Sequence, residues 1–127
     1  MSNAQLTINI TSRSTRFAVS IIKLANLLPR TPAGFAIASQ IVRSGTSIGA
    51  NIHEAQSASS KKDFIHCSTI ALKEARETLY WLTVIFETKL VSNTNLDSLL
   101  KESDELVRIL YSIIKKAKLN SSLIIDH

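Results

Sequence analysis

Cysteine, proline and glycine are all scarce: one, two and three of them in 127 residues. The lone thiol, Cys67, excludes an intramolecular disulfide and points to a reducing, cytoplasmic setting. So few breakers exclude a loop-rich or linker-like polypeptide. With 45% hydrophobic residues, the chain is expected to form long helices in a single domain. No apolar run reaches the roughly 18 residues that a membrane-spanning helix needs. The N-terminal residues show no basic and apolar leader, so no secretory signal is expected. Gly34, Gly45 and Gly49 form no phosphate-cradling loop.

Acidic residues are missing before Glu54. Arg13, Arg16, Lys23, Arg30 and Arg43 precede it unbalanced, and Lys115, Lys116 and Lys118 cluster near the end. The net charge is +5. A positive potential so placed attracts nucleic acid or acidic proteins; a merely solvated surface is the plainer alternative.

Apolar spacing divides the chain into four helices. Phe17, Ile21, Leu24 and Leu28 predict a first helix from residue 11 or 12 to residue 28, stopped by Pro29. Thr31 as N-cap and Pro32 at the first helical position open a second. Its stripe is Phe35, Ala38, Ile41 or Val42, Gly45, Ile48, Ile52 and Ala55, ending near residue 56. Gly45 and Gly49 each lower helix propensity by roughly 1 kcal/mol relative to alanine. Four apart on one face, they suggest a neighbouring backbone that comes close.

Ser60-Lys61-Lys62-Asp63 resembles a capping box and opens a third helix, to about residue 90. After the turn cluster Ser92-Asn93-Thr94-Asn95, a fourth helix runs to about residue 118 on Leu96, Leu99, Ser103, Leu106, Leu110, Ile113 and Ala117. Short connections predict an all-α, antiparallel up-down-up-down four-helix bundle over residues 12–118. Residues 1–11 are expected to be a flexible arm, although Leu6, Ile8 and Ile10 alternate as in a strand. Residues 119–127 are expected to be a flexible tail.

No catalytic, cofactor or metal site emerges. There is no G-x-S-x-G, and Cys67 reads as a small core residue. His53-Glu54 and His66-Cys67 are sequence neighbours, about 100° apart round a helix, whereas a helical metal pair needs ligands on one face.

Two features stand out instead. Gln40, Arg43, Ser47, Asn51 and Glu54 form a polar line on helix two, because three- and four-residue steps share a helical face. The line lacks the lysine-glutamate mix of an ordinary solvated face. The expected partner of Arg43 is Glu74 or Glu77, three apart on helix three, in a pair that fixes register more than it adds stability. The run Leu79-Tyr80-Trp81-Leu82-Thr83-Val84-Ile85-Phe86 is apolar round nearly its whole circumference. A second face must then be covered, and a homo-oligomer interface at Tyr80 and Trp81 is the simplest cover. The alternative is a thick core that leaves Tyr and Trp exposed.

Gln40-Ile41-Val42-Arg43, then Ser47-Ile48, then Asn51-Ile52-His53-Glu54-Ala55, resemble the signature of the 23S rRNA-intervening-sequence proteins, approximately Q-I-x-R followed by S-I-x-x-N-I-A-E-G. Asp63-Phe64 and Ile70-Ala71-Leu72-Lys73-Glu74-Ala75-Arg76-Glu77-Thr78 are also similar to that family. The resemblance covers residues 12–118. His53 and Ala55 depart from it, standing where Ala and Gly are usual. The resemblance implies a four-helix bundle assembled as a homopentamer. It also implies kinship with a retroelement accessory protein that binds nucleic acid and a reverse transcriptase. No catalytic residues and no cofactor come with it.

The expected function is therefore that of a non-enzymatic, cytoplasmic, homo-oligomeric bundle bound to RNA or DNA, with no membrane partner. Its contacts would be Arg13, Arg16, Lys23, Lys115, Lys116 and Lys118. Antiparallel packing is expected to gather Arg13 and Arg16 with the three C-terminal lysines into one patch. The alternative is a protein-interaction scaffold whose charge is incidental.

Overall fold

The structure, a computed structural model, describes residues 3–92 and 95–125, with side chains described between residues 10 and 120. Four helices follow one another: α1 (Asn3–Ala25), α2 (Pro32–Gln56), α3 (Lys61–Thr88) and α4 (Leu96–Ile125). No strand occurs among the described residues.

Helix ends form for local reasons. Thr31 Oγ1 accepts from the Gly34 amide at 3.1 Å, with Pro32 at the first position of α2. Ser60 Oγ accepts from the Asp63 amide at 3.1 Å. The Asp63 carboxylate accepts from Ser59 Oγ at 2.5 Å, so it serves the residue before the cap. At the end of α3, Lys89 takes the left-handed conformation, with φ 55°. Its amide bonds Phe86 O and the Leu90 amide bonds Ile85 O, both at 3.3 Å, which closes the helix in a Schellman motif.

Both outer helices run longer than their stripes predicted. α1 begins at Asn3, so the segment expected as an arm is helical and the alternation of Leu6, Ile8 and Ile10 is not realised as a strand. The reason is a longer stripe: Ile10, Ser14, Phe17, Ile21, Leu24 and Leu28 keep three-four spacing and are all buried. Thr11 lies inside the helix, its carbonyl accepting from Ser14 Oγ at 2.9 Å and Thr15 Oγ1 at 3.1 Å. α4 likewise continues through residues 119–125, with no proline or glycine to stop it. Asn93 and Thr94 of the turn cluster, and the ends of both expected arms (residues 1–2 and 126–127), lie outside the described residues.

Cross-helix neighbours set the orientation. Ile21 meets Gly45, and Ser14, earlier on α1, meets Gly49, later on α2. Arg43 reaches Glu74 and Glu77, while Ile52 and Ala55 lie with Phe64 and Ser68. Arg13 reaches Glu102 and Glu105, while Leu24 and Leu27 lie with Asn95 and Leu99. Phe64 and Ser68 at the start of α3 sit with Leu110 and Ile113 at the middle of α4, while Phe86 near the end of α3 sits with Leu96 and Asp97 at the start of α4. Each neighbouring pair is thus antiparallel, in an up-down-up-down bundle.

The core is aliphatic. Fully buried Ile21, Ile41, Ile48, Leu82, Ile85 and Leu106 lie along its axis, each worth roughly 1.5–3 kcal/mol relative to exposure. On α2 it is Ile41 that is buried, with Val42 at the edge. Phe35, expected in that stripe, is 59% exposed. It stands about 120° round α2 from buried Ile41, whereas the buried stripe reaches the first turn through Gly34.

Candidate functional site

Arg43 bridges α2 to α3. Its Nη1 donates to Glu74 Oε2 at 3.0 Å, and its Nη2 pairs with Glu77. Glu77 Oε2 also accepts from Trp81 Nε1 at 3.1 Å. The Arg43 side chain is 49% exposed and Glu74 only 13%, so the bridge lies at the rim of the bundle, more open than a buried pair. The Glu77 carboxyl is held below its ordinary range, first by the Arg43 hydrogen bond, against the opposing effect of burial. The Arg43 guanidinium is pushed up by the same hydrogen bond. Beneath the bridge, Thr78 Oγ1 lies 2.9 Å from the buried Ser44 hydroxyl.

The rest of the polar line behaves differently. Ser47 Oγ donates to Arg43 O at 2.6 Å, and Asn51 Nδ2 to Ser47 O at 2.8 Å, so both bond their own helix. Gln40 and Glu54 are exposed. Only Arg43 of the five makes a side-chain bond to α3.

A second bridge repeats the design of the first. Arg13 on α1 donates through Nε and Nη2 to both oxygens of Glu102, at 3.0 and 2.5 Å, and through Nη2 to Glu105 at 2.7 Å. These hydrogen bonds raise its already high pKa further, the Glu102 bond most of all. In each bridge, two glutamates three residues apart flank one arginine from the adjacent helix. Glu102 and Glu105 escaped the sequence reading, although their spacing copies that of Glu74 and Glu77.

These pairings revise the expected basic patch. Arg13 faces α4 and is already satisfied by carboxylates, so it does not stand ready for phosphate. Lys115 follows Glu105 by ten residues, about 15 Å along the axis, level with the first turn of α1. Arg16 instead lines a groove against α2, with Thr15, His53 and Gln56. Lys23 lines another groove, beside Ser98 at the start of α4. The cations therefore occupy three places: the α1–α2 groove, the α1–α4 groove, and the end of α4, where Lys115, Lys116 and Lys118 are exposed.

Apolar residues remain uncovered. Tyr80 is 59% exposed and meets the half-buried Trp81 edge to face, with ring centroids 5.1 Å apart. Phe86, Val19, Ile22, Leu27 and Tyr111 are exposed as well. Among the described residues, no three histidine, cysteine or carboxylate side chains gather in a metal-binding group. No described helix is long and apolar enough to cross a membrane.

The family model for the 23S rRNA-intervening sequence protein matches residues 7–112. The chain belongs to that family. A solved structure from Bacteroides thetaiotaomicron, described as a protein of unknown function from the S23 ribosomal protein family, is 43% identical to it. The similarity covers 87% of this chain and 98% of that one, with a TM-score of 0.79. No curated protein matches. The polar line and both arginine bridges lie inside the region matched to the intervening-sequence family, whereas Lys115, Lys116 and Lys118 lie beyond it.

Proposed function

We propose that this chain is a non-enzymatic, homo-oligomeric bundle that associates with RNA or DNA through exposed cations. The carrying observation is the contrast among its basic residues. Arg13 and Arg43 are neutralised across helices, while Arg16, Lys23, Lys115 and Lys116 are exposed and make no ion pair with the described residues. Such side chains recognise phosphate without reading sequence. The names of the family and of its solved relative, one an rRNA-intervening sequence protein and the other of a ribosomal protein family, support an RNA setting.

Assembly enters the same reading. Tyr80, stacked edge to face on the half-buried Trp81, provides a face for a second copy, and the family resemblance implies five copies. A ring of five would carry about +25, five times the single-chain charge, which strengthens attraction to a polyanion. A reverse transcriptase is the protein partner that the resemblance brings. A gel-shift titration with single-stranded and duplex RNA and DNA tests the proposal. Changing Arg16, Lys115 and Lys116 together to Glu is expected to abolish binding while leaving the assembly mass unchanged. An unmodified protein that binds none of the four probes at low salt would favour a protein scaffold.

A further inference from the structure

The groove between α1 and α2 holds more than a stray cation. It is an open groove of about 450 Å³, lined by Thr11, Ser12, Thr15, Arg16, His53 and Gln56. Thr15 Oγ1 donates its one proton to Thr11 O at 3.1 Å and stands 3.3 Å from His53 Nε2. That hydroxyl can therefore only accept from the ring, which assigns the proton to Nε2. Arg16, one residue along, makes no hydrogen bond or ion pair with the described residues, so its guanidinium fork is available. Glu54, the carboxylate next to His53 in sequence, projects about 100° round α2 from it.

We propose that this groove is an oxyanion site that takes a phosphate group, free or esterified. Arg16 supplies a fixed charge and a planar pair of donors, and His53 supplies a ring anchored by Thr15. Ser12 and Gln56 add neutral donors at the rim. The site goes beyond the nucleic-acid reading, since a small phosphate ester would suffice to fill it.

A TROSY titration with inorganic phosphate at constant ionic strength, on the full-length protein, tests the site. Saturable amide shifts are expected at Ser12, Thr15, Arg16, His53 and Gln56, with a dissociation constant of about 1–10 mM, as suits one oxyanion on a single guanidinium flanked by neutral groups. Arg16→Gln should weaken binding about ten-fold, the loss of one charge-assisted hydrogen bond, and His53→Ala should weaken it by removing the ring that walls the groove. Lys101→Gln, an exposed position on α4 away from the groove, should leave it unchanged. A single-stranded oligonucleotide without terminal phosphate separates the sources. Shifts at the same residues would place backbone phosphates in the groove. Shifts with phosphate alone would assign it to small phosphate esters and remove this contact from the nucleic-acid reading. No saturable shift with phosphate, or shifts that survive both substitutions undiminished, would overturn the site.

Discussion

Gly45 lies so close to Ile21 that a β-carbon there would stand 2.8 Å from Ile21 Cγ2. Ile21 is fully buried and β-branched, so it has no room to turn away. Alanine would gain up to about 1 kcal/mol of helix propensity. Overpacking a core contact costs roughly 1–3 kcal/mol, so Gly45→Ala is expected to lower stability in chemical denaturation. Gly49→Ala should behave oppositely. Its β-carbon would meet Ser14 Oγ at 3.3 Å and Ser14 C and Cβ at 3.6 Å, so a shift of a few tenths of an ångström accommodates it and that substitution is expected to be neutral or stabilising. Equal losses at the two positions would contradict this packing.

Arg43→Ala is expected to lower the melting temperature at neutral pH, and the deficit should close on acidification. Glu77 has a folded-state pKa below its ordinary 4.5, held there chiefly by Arg43. Its contribution is thus complete above 4.5 and lost as pH falls through the lower folded value. Paired thermal melts of the two proteins from neutral pH into that acid range measure the closure. A gap that stays constant throughout would mean that Glu77 does not draw on Arg43.

The Arg43 bridge was legible because both halves carry a local signature: an arginine in an unusual polar line, and glutamates three apart on the next helix. The four helices were legible for similar reasons, from stripes and caps. Arg13 was harder. Its partners are 89 and 92 residues away, and nothing around it distinguishes it from Arg16. Only the register of α1 against α4 decides which arginine meets carboxylates and which meets a groove. The start of α1 was misread because Leu6, Ile8 and Ile10 fit a period of two, while Ile10 also fits the helical series leading to Phe17. Phe35 was misread because successive three-residue steps carry it about 120° round α2 from buried Ile41, off the stripe that continues through Gly34.

Arg13→Ala should cost roughly 1–3 kcal/mol, because it leaves the partly buried Glu102 without its charge-assisted hydrogen bonds. Arg16→Ala, at an exposed position with no ion pair to the described residues, should stay within about 0.5 kcal/mol of the parent. Urea denaturation of the two variants distinguishes them, and similar losses would remove the distinction between a structural and an available arginine.

Tyr80→Glu places a charge on the exposed aromatic face. Sedimentation equilibrium should find the unmodified protein near five times 14.0 kDa and the variant mainly at lower mass, with helicity unchanged. A parent that sediments as a monomer at micromolar concentration would refute assembly, and a dimer or tetramer would refute the number five alone.

The central claim is that exposed, unpaired cations bind phosphate backbones, and fluorescence anisotropy with labelled duplex and single-stranded RNA and DNA across a salt series tests it most directly. If Arg16, Lys23, Lys115 and Lys116 each neutralise one phosphate, duplex affinity should fall roughly a hundred-fold between about 50 and 200 mM salt, linearly on logarithmic axes. Absence of binding at the lowest salt, or affinity that is indifferent to salt, would contradict the account.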